Sequence, residues 1–144
     1  MGLWRRGHQV PQTAGELAQT VFASLALQYA KTCDGLQECS KLAMPTIHIV
    51  GGGSQNEHLC QLTADISNKE VVAGPVEATA MGNAMIQAIA DGGNAKLTDI
   101  ASARDLILAS NLGLKRFKPT AGLDPNMIAQ VRARYEILTQ KDMR

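Results

Sequence analysis

Thr46-Ile47-His48-Ile49-Val50-Gly51-Gly52-Gly53-Ser54-Gln55-Asn56-Glu57 is the stretch on which the fold turns. Its first five residues, rich in β-branched side chains, run straight into three glycines. That is the pattern of a buried strand stopped by a tight turn. Ser54-x-x-Glu57 then has capping-box spacing, in which hydroxyl and carboxylate each satisfy an orphan N–H at a helix start. Leu59, Leu62, Thr63 and Ile66 share one face of the helix this opens, and Asn68 is placed to end it. Glu70-Val71-Val72-Ala73 follows as a second short strand, stopped by Gly74-Pro75. A strand, a helix and a strand with so short a return predict a parallel βαβ unit with a right-handed crossover.

Working outward, Thr13-Ala14-Gly15-Glu16 is another capping box, with Pro11 just upstream. Leu17, Val21, Phe22, Leu25 and Tyr29 recur behind it at helical spacing, so a helix is expected to about Lys31. From Asp34-Gly35 to Met44 the chain is ambiguous between loop and short helix, and Pro45 closes it. Downstream, a helix is expected from about Val76 to Ala90, ending at Asp91-Gly92-Gly93. Its face carries Ala78, Ala80, Gly82 and Ala84, small enough for another backbone to come close. Two more helices are expected, at about Thr98 to Ser110 and Pro125 to Thr139. The first ten residues read as a tail and 11–142 as one structural unit, without repeats or low-complexity tracts. Stable sheets usually have more than two strands, so this one is thin and points to something missing.

Composition narrows the function class. At 144 residues the chain is one domain's worth, enough to bury about two-thirds of its unfolded surface. Hydrophobic residues make up 45% and aromatics only 3%, so Ala, Leu, Ile, Val and Met must build the core. The formal net charge of +1 advertises neither nucleic acid nor an anionic membrane. Lys115, Arg116 and Lys118 form the one basic cluster and are expected in a solvated loop beside Pro119. Cys33, Cys39 and Cys60 are odd in number and make no C-x-x-C pair, which favours reduced thiols over a disulfide framework. With His8, His48 and His58 they offer no zinc spacing. No run approaches the roughly 20 apolar residues of a membrane span, and no signal-peptide pattern opens the chain. A cytoplasmic protein is expected.

The glycine turn is the strongest local chemical signal. Absent side chains let a ligand reach the backbone, and the turn feeds a helix N-terminus whose N–H groups favour an anion such as phosphate. It also sits at the carboxyl end of a parallel strand, where α/β folds bind ligands. No Gly-Lys-Ser/Thr follows, so it is not a P-loop, nor is it the dinucleotide fingerprint. On these grounds alone a plain tight turn and a ligand site fit equally well. Ala73-Gly74-Pro75-Val76-Glu77-Ala78-Thr79-Ala80-Met81-Gly82-Asn83 is the second signal. Helix packing explains its small residues but not Asn83 in mid-helix, while Glu77 suits a helix start.

Together, Ile47 to Asn56 and Ala73 to Asn83 resemble the C-terminal domain of the FGGY carbohydrate kinases, and within that group the rhamnulokinases. Val10 to Glu16, Ser24 to Tyr29 and Leu62-Thr63-Ala64-Asp65 add to the resemblance, which covers roughly Gly7 to Thr139. It implies an α/β fold: part of an RNase H-like, actin-like ATPase C-terminal domain, helix-rich with a small parallel sheet. It implies ATP and Mg²⁺ as cofactors of a full-length enzyme that transfers the γ-phosphoryl of ATP to a ketose such as L-rhamnulose. By the same carry-over Gly52, flanked by Gly51 and Gly53, contacts the adenosine side of the nucleotide through its backbone, with Gln55 and Asn56 nearby.

The family's first phosphate loop, its sugar contacts and its catalytic aspartate have no match in this segment. No catalytic or metal-ligating residue is therefore assigned, and the segment alone is expected to be inactive as a kinase. Asp65 is expected to be structural, His48 a buried or edge histidine and His58 exposed. The expected partners are nucleotide and sugar in the full-length enzyme, with self-association of the isolated segment and no role for nucleic acid or membrane. The alternatives are a non-catalytic nucleotide- or protein-binding module, and an FGGY kinase for another ketose or polyol.

Overall fold

In a computed structural model, residues 10–92, 97–110 and 113–141 are described; nine of the ten expected tail residues lie outside them. Helix α1 (Ala14–Ser40) leads into strand β1 (Thr46–Ile49), a 3-10 turn (Gly51–Gln55), helix α2 (Glu57–Ser67) and strand β2 (Glu70–Ala73). Helices α3 (Ala78–Asp91) and α4 (Ile100–Ala109), strand β3 (Lys115–Phe117) and helix α5 (Pro125–Lys141) complete the order.

The expected βαβ unit is present. β1 and β2 pair in parallel, Thr46 opposite Glu70 through Ile49 opposite Ala73. The sheet is mixed, because β3 adds to the other edge of β2 antiparallel, with Val71 opposite Phe117 and Ala73 opposite Lys115. The basic cluster is thus partly a strand where a solvated loop was expected. Only Phe117 faces the core there, and the charges flank it: Lys115 pairs with Glu57 at 2.5 Å and Arg116 with Glu70 at 3.2 Å. Charged residues are what a short exposed edge strand carries, and they mask its pattern.

β2 is the central strand, and Val71, Val72 and Ala73 are all buried. Ile49, Val71 and Ala73 pack with Cys60 and Ala64 of α2, and Tyr29, Ile47 and Phe117 close around them. α1 buries Ala26, Leu27 and Ala30, spaced to fall on one face. Its start follows the sequence pattern: Glu16 N donates to Thr13 Oγ1 at 3.2 Å and Thr13 N to Glu16 Oε2 at 3.1 Å. The backbone N–H groups of Gln12, foremost, and Thr13 donate to the Glu16 carboxylate and hold it below its ordinary value.

α1 does not end near Lys31. It runs on through Gly35 to Ser40, where Lys41 takes a left-handed conformation (φ 57°) and closes it. Partners far along the chain support this extension. Lys69 Nζ donates to Gln37 Oε1 at 2.9 Å, Arg132 pairs with Asp34, and Lys31 Nζ reaches Thr139 Oγ1 at 2.9 Å. α3 buries no residue at all, and on its small-residue face Ala80, Gly82 and Ala84 are exposed. Nor is any described helix long and apolar enough to cross a membrane.

Candidate functional site

The two sequence signals meet at the carboxyl end of the parallel pair. β1 and β2 lie side by side, so the turns that leave them are neighbours, and two backbone hydrogen bonds join them. Gly74 N donates to Ile49 O at 2.8 Å, and Gly51 N donates to Pro75 O at 3.1 Å. Gly74-Pro75 is a cis peptide. Leu114, just before β3, packs over Gly74.

Within the glycine turn the three residues differ. Gly51 has φ +73°, a left-handed conformation that side chains rarely adopt. Gly52, expected to be the critical position, has no positive φ and is exposed. A Cβ built on it would meet no heavy atom within 4 Å. Gly53 lies closer to the core, its Cβ position 3.6 Å from Ile49 Cγ2. Gly52 is therefore the crest, where a ligand can reach backbone without displacing anything.

Ser54 is not the helix cap. It is buried, and its Oγ donates back to Gly51 O at 2.6 Å. The chain goes two residues further before α2 starts, and Asn56 caps it, Oδ1 accepting from Leu59 N at 2.9 Å. The capping-box spacing is real, but a 3-10 turn consumes the serine. Gln55 is exposed and Asn56 half-buried beside the turn. Beneath it lies Cys60, fully buried, its thiol facing Gly53 O at 3.9 Å and Ser54 O at 4.0 Å. Burial, and then the negative charge of Glu57, push that thiol above its ordinary pKa.

The start of α2 is a poorer anion site than its sequence promised. Asn56 occupies one orphan N–H, and Glu57 places a carboxylate in the first turn. A hydrogen bond from Lys115, and then its positive charge, hold that carboxyl below its ordinary value. A phosphate would meet this negative charge and only part of the helix dipole. The turn suits an uncharged portion of a ligand better.

Asp65 is structural, as expected. Its Oδ1 accepts from Gln61 Nε2 at 2.9 Å and from Thr120 N at 2.8 Å, pinning the segment after β3 to α2. His48 is exposed on edge strand β1. His58 is exposed, its Nε2 2.6 Å from Gln19 Oε1. Among the described residues no group of three or more His, Cys, Asp or Glu is placed to hold a metal ion, so none of them is assigned to Mg²⁺. Sequence reasoning missed Ser54 and Cys60 as the underside of the turn. The available signal was their spacing of six, which brings Cys60 back under the turn one helical turn into α2.

Comparison with known proteins is consistent across sequence and structure. The description "FGGY family of carbohydrate kinases, C-terminal domain" matches residues 2–90. Rhamnulokinase from Bacteroides thetaiotaomicron is 43% identical over 113 residues, covering 78% of this chain and 22% of that protein. Rhamnulokinase from Pectobacterium atrosepticum is 44% identical over 118 residues, 82% of this chain and 23% of that protein. The chain thus spans less than a quarter of the length of these relatives. In three dimensions it is similar to the crystal structure of xylulose kinase from Rhodospirillum rubrum. The TM-score is 0.63 at 19% identity, covering 94% of this chain and 26% of that one.

Proposed function

The chain belongs to the FGGY family of carbohydrate kinases, and from that membership we propose that it forms the nucleotide-binding part of an ATP-dependent L-rhamnulose kinase. The observation that carries this reading is the junction of the two motif turns. Gly51 N bonds to Pro75 O at 3.1 Å at the carboxyl end of two parallel strands, with the Gly52 crest open beside them. That is where α/β sheets take their ligands. In this reading the backbone around Gly52 faces the adenosine end of ATP, with Gly51, Gly53, Gln55 and Asn56 around it. The Glu57 carboxylate favours the neutral nucleoside over the phosphates there. Identity above 40% to rhamnulokinases supports L-rhamnulose over other ketoses or polyols.

The catalytic base, the sugar contacts and the metal come, in this proposal, from elsewhere in the full-length enzyme, and residues 11–142 alone do not turn over. Several described carboxylates already have structural work: Asp34 pairs with Arg132, Glu57 with Lys115, Glu70 with Arg116, and Asp99 caps α4. Phosphoryl transfer depends on positioning and charge stabilisation, which these residues do not supply.

A second reading, a module that binds a protein partner, draws on exposed apolar side chains, including Leu17, Val21 and Leu36 along α1.

Gly52→Val in the complete kinase separates the readings. Because a Cβ at Gly52 meets nothing in the protein itself, the variant is expected to fold. The Michaelis constant for ATP should rise far more than that for L-rhamnulose. A folded variant with unchanged ATP dependence would leave the turn a plain turn.

A further inference from the structure

We propose that Ser54 is the positioning residue of the nucleotide site, holding the glycine turn from its buried side without touching the ligand. The inference rests on the nucleotide reading above. Ser54 is only 7% exposed, and a buried hydroxyl must find a partner. It finds Gly51 O, at 2.6 Å. That bond spans Gly52 and ties the residue before the crest to the residue two beyond it. The other supports act on the flanks. Pro75 O receives Gly51 N at 3.1 Å, Asn56 N donates to Gly53 O at 3.2 Å, and the Cys60 thiol lies under Gly53 and Ser54. Gly52 is left as the exposed residue of a turn braced on both sides.

The assignment is specific to Ser54 because capping of α2 belongs to Asn56. Removing the serine hydroxyl loosens the turn and leaves the helix start intact. A ligand that reads backbone needs that backbone held before it arrives, or binding must do the ordering. A buried neutral hydrogen bond of ordinary strength corresponds to a change of about three- to tenfold in an equilibrium.

The test is steady-state kinetics of the complete kinase with ATP and L-rhamnulose. Ser54→Ala is expected to raise the Michaelis constant for ATP about three- to tenfold, with kcat and the constant for L-rhamnulose within about twofold. Ser54→Thr, which keeps the hydroxyl, should restore ATP dependence. If Ser54→Ala does not fold, Ser54→Cys keeps the shape with a weaker donor and should give an intermediate rise. Unchanged ATP dependence in these variants, while Gly52→Val still raises the constant, overturns the role of Ser54 and leaves the nucleotide site standing. Unchanged ATP dependence in Gly52→Val as well removes the site and this inference with it. Equal rises for ATP and sugar mark a purely structural serine and also overturn it.

Discussion

Two adjacent glycines, Gly51 and Gly52, should respond oppositely to the same substitution. At Gly51 space is not the difficulty, since an added Cβ would come no closer than 3.9 Å to Val76 O. The difficulty is φ +73°, which places Cβ against its own carbonyl and costs about 1–2 kcal/mol. At Gly52 φ is not positive and nothing lies within 4 Å of the Cβ position. Alanine there restricts the unfolded chain and is worth about 0.4–1 kcal/mol in favour of folding. The unfolded-state gain is common to both, so the two alanine variants should differ by the strain alone, roughly 1–2 kcal/mol. For 144 residues the unfolding entropy is about 0.3 kcal/mol/K, so 1 kcal/mol moves Tm by about 3 °C. Gly51→Ala should melt about 3–6 °C below Gly52→Ala, read by circular dichroism or calorimetry at one protein concentration. Equal melting temperatures, or a less stable Gly52→Ala, would refute the assignment of the left-handed residue. They would also undo the argument that Gly52→Val tests the ligand alone.

Asn56→Ala should lower stability by about 1 kcal/mol through loss of the α2 cap, with a smaller loss for Asn56→Ser; denaturant melts that show no change would return the cap to Ser54. Thiol alkylation followed by mass spectrometry should modify exposed Cys39 first, then half-buried Cys33, and Cys60 only on unfolding. Because the folded pKa of Cys60 is raised, its contribution to stability is full below the ordinary thiol value and is lost as pH rises through the folded value. Early modification of Cys60 would contradict its burial under the glycine turn. The isolated 144-residue chain should self-associate or bind a hydrophobic dye, and a clean, dye-negative monomer in analytical ultracentrifugation would count against that.

What the sequence alone determined is what neighbours in the chain decide. The β-branched run ending at Gly51, the Thr13–Glu16 box, the left-handed stop at Asn68 and the parallel β1–β2 pair all follow from rules that act over a few residues. The family followed too, since its motifs are contiguous and in order. Tertiary structure decided whatever needed a distant partner. Phe117 makes β3 a strand by reaching the core, and its three-residue span between charges carries no readable period. Lys69, bonded to Gln37, holds α1 beyond Gly35 against the local weakness of a glycine in a helix. The choice of Asn56 over Ser54 as cap depended on a 3-10 turn whose serine bonds backward, a competition local spacing does not reveal. In the candidate site the two turns are joined by the Gly51 N–H to Pro75 O and the Gly74 N–H to Ile49 O. Each motif and the parallel pairing were legible, but the hydrogen bonds that join the two turns appear only once the strands lie side by side.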